Sequence, residues 1–355
     1  MRLLVLTPLP SPFIEQPLRL LCAQYPEIDL LPVFYCDASH RPSWGEMQWK
    51  GLWLNGSGLK RVRELAAYVE EHKPDQVVLG QYNRVESWWL KRYASRNNIP
   101  AHVLFLEPLI PSSRPKYQLK LAAFKKFLSG VTSVGCMGRR AFSEYSRIYK
   151  GHIFDCPYAF DLKQLLEFDG AERRKGYTTF LYSGRLSAFR DPLLSVRCFA
   201  KVKERSTSKV HLIISGRGDL EEALIQEIEK LGLTASVTWM NDFKDWEDIR
   251  NLYRHADVLL SLGFYNTWSL TIQEAMAAGM GIVATHTTEA ANALLLSEFN
   301  GYLVDHDNVD SIVEAMLAYA ESSGLATEHG KRSREIVDLV GVDAVSSRIA
   351  RALSL

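Results

Sequence analysis

Two arginines, two glycine-bearing turns and one helix-borne glutamate in the second half of the chain are the residues best suited to chemistry. The segment Leu181-Tyr-Ser-Gly-Arg-Leu-Ser-Ala-Phe-Arg-Asp-Pro192 reads as a strand ending at Ser183, then Gly184 and a turn that delivers Arg185 and Arg190 close together. Two guanidinium groups at a strand's carboxyl end suit a diphosphate, because each forms charge-assisted forked bonds and offsets charge that develops on a leaving nucleotide. The alternative is a pair of solvated surface arginines. A second strand runs into Ser215-Gly216-Arg-Gly218 ahead of a helix near Leu220. Glycines there let backbone approach a ligand, although any tight strand-to-helix turn asks for the same residues.

The third segment is Gly263-Phe-Tyr-Asn-Thr-Trp-Ser-Leu-Thr-Ile-Gln-Glu-Ala-Met-Ala-Ala-Gly-Met-Gly-Ile-Val-Ala-Thr285. Ser269 reads as a helix N-cap that aims the amides of Leu270, Thr271 and Ile272 at a bound anion. Glu274 lies one turn in, where its carboxylate accepts from vicinal hydroxyls such as those of ribose, or serves the helix dipole. No Asp-x-Asp and no convincing His/Cys cluster offers a metal site, so none is expected. His211 opens a strand and reads as structural.

These groups need strands and turns to hold them, and the hydrophobic pattern supplies both. Short apolar runs alternate with longer amphipathic stretches throughout, the mark of parallel strands joined by helices. Strands are expected near Leu3–Thr7, Leu30–Tyr35, Gln76–Leu79, His102–Leu106, Thr132–Gly135 and His152–Asp155. A second cycle runs near Phe180–Ser183, His211–Ser215, Val237–Trp239, Val258–Ser261, Ile282–Thr285 and Tyr302–Val304. The charged, glycine-flanked stretch Phe168–Gly176 lies between the cycles. The expected organisation is therefore α/β, with two doubly wound Rossmann-like domains, 1–167 and 168–339, facing across a cleft. An amphipathic segment at about 340–355 is expected to pack back on the first.

The order of the elements in the second half resembles the retaining GT-B glycosyltransferases of family 4, the "glycosyl transferases group 1" set. That family carries Gly-Arg-Leu followed by a Lys, a Gly-x-Gly, and Glu-x7-Glu running into Glu-Ala-Met-Ala-x-Gly. Here the matching residues are Gly184-Arg185-Leu186, Gly216-x-Gly218, and Glu274-Ala-Met-Ala-Ala-Gly279, with Asn300-Gly301 on a later strand. The resemblance is strong over about residues 178–320 and weak before them. Arg190 stands where the family usually has Lys, Gly281 replaces a Pro, and Trp268-Ser269 replaces Phe-Gly. The first Glu of Glu-x7-Glu falls on Asn266, which still hydrogen-bonds a sugar hydroxyl but brings no negative charge.

The resemblance implies transfer of a sugar from a nucleotide-diphosphate sugar to a hydroxyl of a glycan or lipid-linked acceptor, with retention, as in cell-surface polysaccharide or glycolipid assembly. The nucleotide sugar is then a substrate, and no separate cofactor is expected. The donor would contact Gly184, Arg185, Arg190, Gly216, Gly218, Asn266, Ser269, Leu270, Thr271 and Glu274. Arg185 and Arg190 would also stabilise the leaving diphosphate. The family often places a His or acidic residue after the fourth strand of its acceptor domain, facing the donor sugar, and Glu107 holds that place here as a candidate catalytic residue beside Arg185 and Arg190. The alternatives are a sugar-nucleotide epimerase of GT-B fold and a non-catalytic nucleotide-sugar binding protein.

Composition narrows the partners. Residues 1–165 hold 22 Lys and Arg against 14 Asp and Glu, the remainder 20 against 27, so a net charge of +1 hides a basic first half. The stretch Arg114–Leu128 reads as a basic helix with Tyr117, Leu121, Phe124 and Leu128 in one stripe and Lys116, Lys120, Lys125 and Lys126 beside it. It suits a peripheral contact with an anionic membrane, or an ordinary core-facing helix. Nucleic acid is not an expected partner. Aromatic residues from Trp44 to Trp53, with Trp88 and Trp89, are a second candidate acceptor surface. Five unpaired cysteines and no apolar run long enough to span a bilayer fit a cytoplasmic protein, peripheral at most to the inner membrane face.

Overall fold

The computed structural model describes residues 1–36, 49–109, 115–169, 172–243, 248, 250–322 and 324–355. Trp44, Arg114 and the side chain of Lys116 lie outside this set. The chain divides into two compact units, Met1–Phe160 with Val340–Leu355, and Asp161–Leu339.

The first unit is built on β1 (Arg2–Thr7), β2 (Asp29–Phe34), β3 (Leu52–Trp53), β4 (Gln76–Val78), β5 (Ala101–Leu106), β6 (Ser133–Cys136) and β7 (His152–Asp155). Their order in the sheet is β3-β2-β1-β4-β5-β6-β7, with every pair parallel. The second unit holds β8 (Thr178–Ser183), β9 (Val210–Ser215), β10 (Val237–Trp239), β11 (Val258–Ser261), β12 (Gly281–Thr285) and β13 (Tyr302–Val304), again parallel, in the order β10-β9-β8-β11-β12-β13. Parallel pairing requires a crossover between strands, and helices supply it, covering both sheet faces. Continuous apolar strands follow from that double cover: all six residues of β9 are buried, as are five of six in β1. In each sheet the winding reverses beside the first strand, between β1 and β4 and between β8 and β11. The loops there diverge and leave a crevice at the carboxyl ends.

The expected strands form within a residue or two. β3 was absent from the expected set. With only Leu52 and Trp53 paired to Val33 and Phe34, it is too short to show a period. The described tryptophans of the candidate acceptor surface pack inward: Trp49 is buried, Trp53 lies 4.8 Å from Phe34 between ring centroids, and the Trp88 indole donates to the Tyr82 carbonyl at 2.6 Å. In the helix Pro115–Leu128, Phe124, Phe127 and Leu128 are buried and Tyr117 and Leu121 half-buried, while Leu119 is 73% exposed.

The second unit begins earlier than the glycine and charge pattern suggests, because the apolar residues just before it are anchored there. Helix Lys163–Leu166 packs against helix Leu270–Ala277, and Phe168 is buried with the Arg254 guanidinium 4.2 Å from its ring and Arg334 donating to its carbonyl. Helix Val342–Ala352 packs on helix Pro12–Gln24 and β7, with Arg348 donating to Asp155 at 2.9 Å. None of the five cysteines forms a disulfide, and Cys136, Cys156 and Cys198 are buried. Among the described residues no helix is long and apolar enough to cross a membrane.

A polar thread ties this last segment to the first sheet. Gln76 donates to the Leu353 carbonyl at 3.0 Å and contacts His102 at 2.8 Å; the other His102 nitrogen meets Ser133 Oγ at 2.7 Å. Burial, aided by His152, holds the His102 imidazole down at about 4 from its ordinary 6.5. A depressed histidine contributes stability above the unfolded pKa that is lost as pH falls, since the unfolded chain binds the proton first. Urea denaturation from pH 7.5 to 4 should therefore show a loss approaching about 3 kcal/mol from this group. His102→Gln, which keeps a donor and an acceptor, should flatten that limb; an unchanged acid limb would remove the assignment.

Candidate functional site

In the second unit the chemistry-bearing segments converge at the winding reversal between β8 and β11. The loop after β8 is zipped to the loop after β9: Gly184 N donates to Ser215 O at 3.0 Å and Leu186 N to Arg217 O at 2.9 Å. A Cβ on Gly216 would lie 1.8 Å from the Gly184 carbonyl oxygen, and one on Gly218 would lie 2.4 Å from that of Leu186. The side these glycines leave bare is filled by protein backbone, so their role here is to let two loops touch. Gly184, by contrast, has nothing within 4 Å of its missing Cβ.

Arg190 closes a single 3-10 turn, Ala188–Arg190. Gly263, just past β11, packs beneath it, since a Cβ there would meet Phe189 O at 2.6 Å and Arg190 Cα at 3.0 Å. Asp191 then starts the helix Pro192–Arg205. Its φ is 42°, one carboxylate oxygen accepts from Leu194 N at 3.2 Å, and the other meets His306 Nε2 at 3.0 Å. Burial opposes a proton on His306, but hydrogen bonds to Asp307 and Asp191 outweigh it and raise its pKa. This brace holds Arg190 in a small recess that it lines with Tyr182, Ser183, Asn266 and Thr288. Burial lowers its pKa, and among the described residues no carboxylate pairs with it. Arg185 is exposed at the same strand end and does not line the recess.

Asn266 is 8% exposed and its main chain is tied at both sides, N to Thr287 O and O from Glu289 N, each at 3.2 Å. Its Nδ2 and the Thr288 Oγ1 are buried and have no hydrogen-bond partner among the described residues. Trp268, at the family's Phe position, is buried and donates to Gln273 at 3.3 Å. Ser269 is the N-cap of helix Leu270–Ala277, but its hydroxyl meets Thr271 Oγ1 at 2.7 Å and makes no cap bond. The expected set of free amides is also smaller, because Ile272 N donates to Ser269 O at 3.2 Å. Leu270 and Thr271 remain at the helix's open end.

Glu274 is 3% exposed. Tyr253 donates to its Oε2 at 2.5 Å, and Oε1 is buried with no hydrogen-bond partner among the described residues. Burial raises its pKa, against the Tyr253 hydrogen bond and the Arg250 charge, which lower it. Tyr253 and Thr288 escaped the sequence reading because nothing in spacing links them to Glu274 or Asn266. Asp191 before Pro192 did carry a helix-start signature. His211 is held by Thr238 at 2.9 Å and Arg174 at 3.3 Å, consistent with a structural role. Among the described residues no group of three or more His, Cys, Asp and Glu is placed to hold a metal ion.

In the first unit Glu107 follows β5. Tyr158 donates to its carboxylate at 3.4 Å and Tyr145 to its carbonyl at 2.6 Å. Phe105, just before it, has a φ of 58° and stacks on Tyr158 at 5.9 Å. Glu107 lines a cavity of 520 Å³ at the carboxyl ends of β1, β4 and β5.

Because the loops after β8 and β9 touch through backbone, Gly216→Ala should cost more than about 2 kcal/mol of second-unit stability, and shift the Arg190 turn with it. Chemical denaturation checks this; a neutral substitution would mean that the loops tolerate separation.

Residues 165–336 match the family described as Glycosyl transferases group 1. An uncharacterized glycosyltransferase of Methanocaldococcus jannaschii is 30% identical over 132 residues, which is 37% of this chain and 33% of that protein. Among solved structures, Anabaena HepE in complex with UDP superposes with a TM-score of 0.77 at 16% identity, covering 100% of both chains. Sucrose-phosphate synthase from Thermosynechococcus elongatus gives 0.76 at 16%, covering 100% of this chain and 98% of its own. At such identity the likeness speaks to the fold. The chain therefore has a GT-B fold in which residues 165–336 match the glycosyl transferases group 1 family.

Proposed function

We propose that the protein transfers a sugar from a nucleotide-diphosphate sugar to a hydroxyl of a glycan or lipid-linked acceptor, with retention of configuration, in polysaccharide or glycolipid assembly. One observation carries this reading: the recess between β8 and β11 collects donors that lack acceptors. The Arg190 guanidinium, Asn266 Nδ2 and Thr288 Oγ1 surround it, and a buried polar group left unpaired costs about 1–3 kcal/mol. A diphosphate supplies many acceptor oxygens and the opposite charge. Arg185 and the amides of Leu270 and Thr271 would add to its hold.

Glu274 Oε1 is a buried acceptor in need of donors, which vicinal ribose hydroxyls provide. Tyr253 orients the carboxylate through Oε2. In the reaction, the acceptor oxygen bonds to the anomeric carbon on the face that the diphosphate leaves. The carbon–oxygen bond to phosphate breaks, and a diphosphate oxygen takes the hydroxyl proton. Arg190 and Arg185 stabilise the departing charge. Asn266 would hold the donor sugar by hydrogen bonding alone, and Glu107 would hold the acceptor side. HepE has been solved with UDP-glucose, so uridine donors lead the candidates.

A nucleotide-sugar panel tests this. Acceptor-dependent release of nucleoside diphosphate is expected, with the product's anomer read by NMR; interconversion of the donor would instead mean epimerisation. Arg190→Ala should lower kcat/KM for the donor tenfold to a hundredfold, the range of about 1.5–3 kcal/mol for a charged hydrogen bond. Glu274→Gln should raise the donor KM while the fold persists. Wild-type kinetics in both would sink the site.

We further propose peripheral contact with anionic membrane through residues 114–128, supported by exposed Leu119 beside exposed Lys120, Lys125 and Lys126. Vesicles rich in anionic phospholipid should sediment the wild type and release a Lys120→Glu, Lys126→Glu variant at moderate salt. Equal retention of both would remove the contact.

A further inference from the structure

The first unit carries a cavity of 520 Å³ below Glu107. That volume lies within the range of about 300–1,000 Å³ typical of small-molecule sites. Its floor is apolar: Val5, Leu18, Val78, Val103 and Phe127 are all 5% exposed or less. Its polar groups gather instead at the strand ends, where Gln81, Asn83, Glu107 and Tyr158 line it.

The cavity opens at the strand ends, so water that enters it finds hydrogen-bond partners at that polar rim and none among the floor side chains. A hydrocarbon group that replaces water over the floor removes apolar surface from water and gains dispersion contacts. The wall nearest the exposed basic face is the same helix: Phe124 and Phe127 of Pro115–Leu128 face the cavity, while Leu119, Lys120 and Lys126 face outward.

We infer that the cavity holds the hydrocarbon chain of an amphiphilic lipid, with its polar hydroxyl-bearing head at Glu107 and Tyr158. Its role as the acceptor rests on the transferase reading above; the binding itself does not. A chain adds affinity in proportion to the methylenes buried, about tenfold for each two, until the floor is reached.

Methyl, butyl, hexyl and octyl β-D-glucopyranosides, used below micellar concentration, are the probes, titrated calorimetrically into the full chain. Affinity should rise with chain length and then level off. A flat series overturns the inference. Ile14→Trp, at the half-buried edge of the cavity, should abolish the rise with the melting transition preserved, whereas an unaltered series in that variant also overturns it. UDP titration of the same samples reads the second unit separately. Loss of UDP binding in the wild type would undo the donor reading and leave the cavity to be judged by the glucoside series.

Discussion

Backbone meets backbone at the carboxyl edge of the second sheet, and the site depends on that contact. The loop after β8 lies against the loop after β9 through Gly216 and Gly218, and against the end of β11 through Gly263. No side chain fits in these gaps. The 3-10 turn carrying Arg190 is consequently fixed from below by a glycine and from ahead by Asp191, itself braced by His306. The backbone that carries the arginine is therefore ordered without a ligand, which removes that part of the entropy cost of meeting an anion.

Around that turn the interior holds polar groups that the fold leaves incomplete. Asn266 Nδ2, Thr288 Oγ1 and Glu274 Oε1 are buried with no hydrogen-bond partner among the described residues, although most buried polar groups in proteins are satisfied. Asn266 Nδ2 and Thr288 Oγ1 line the recess, and Glu274 Oε1, which can only accept when ionised, lies on the helix Leu270–Ala277. On the proposed reading, the donors would meet the anionic part of the nucleotide sugar and the carboxylate its hydroxyls. Asn266 in place of a carboxylate fits the donor-rich side, since it adds no repulsion toward a phosphate.

The first unit uses the same winding reversal differently. Between β1 and β4 the crevice opens into an apolar cavity instead of a charged recess, and Glu107 stands at its polar end, held by Tyr158. Two units of one topology thus present opposite chemistry, because the strand ends carry different residues while the sheets beneath them are alike.

The strand boundaries, the doubly wound class and the positions of Arg190, Asn266 and Glu274 were legible in the sequence. Period, glycine placement and a helix start are local properties, and parallel strands buried on both faces are conspicuous as apolar runs. Less visible was what each residue meets across the fold. The glycines of Gly216-x-Gly218 read as room for a ligand, yet they make room for a neighbouring loop; Ser269 read as a cap, yet its hydroxyl turns to Thr271. Tyr253, Thr288 and His306 join the site from distant segments, as does the cavity lined from β1 to Tyr158. Periodicity and capping signals along the chain specify which elements form and which residues stand at their ends. Which of those ends touch follows from sheet order and loop packing, which no local pattern encodes.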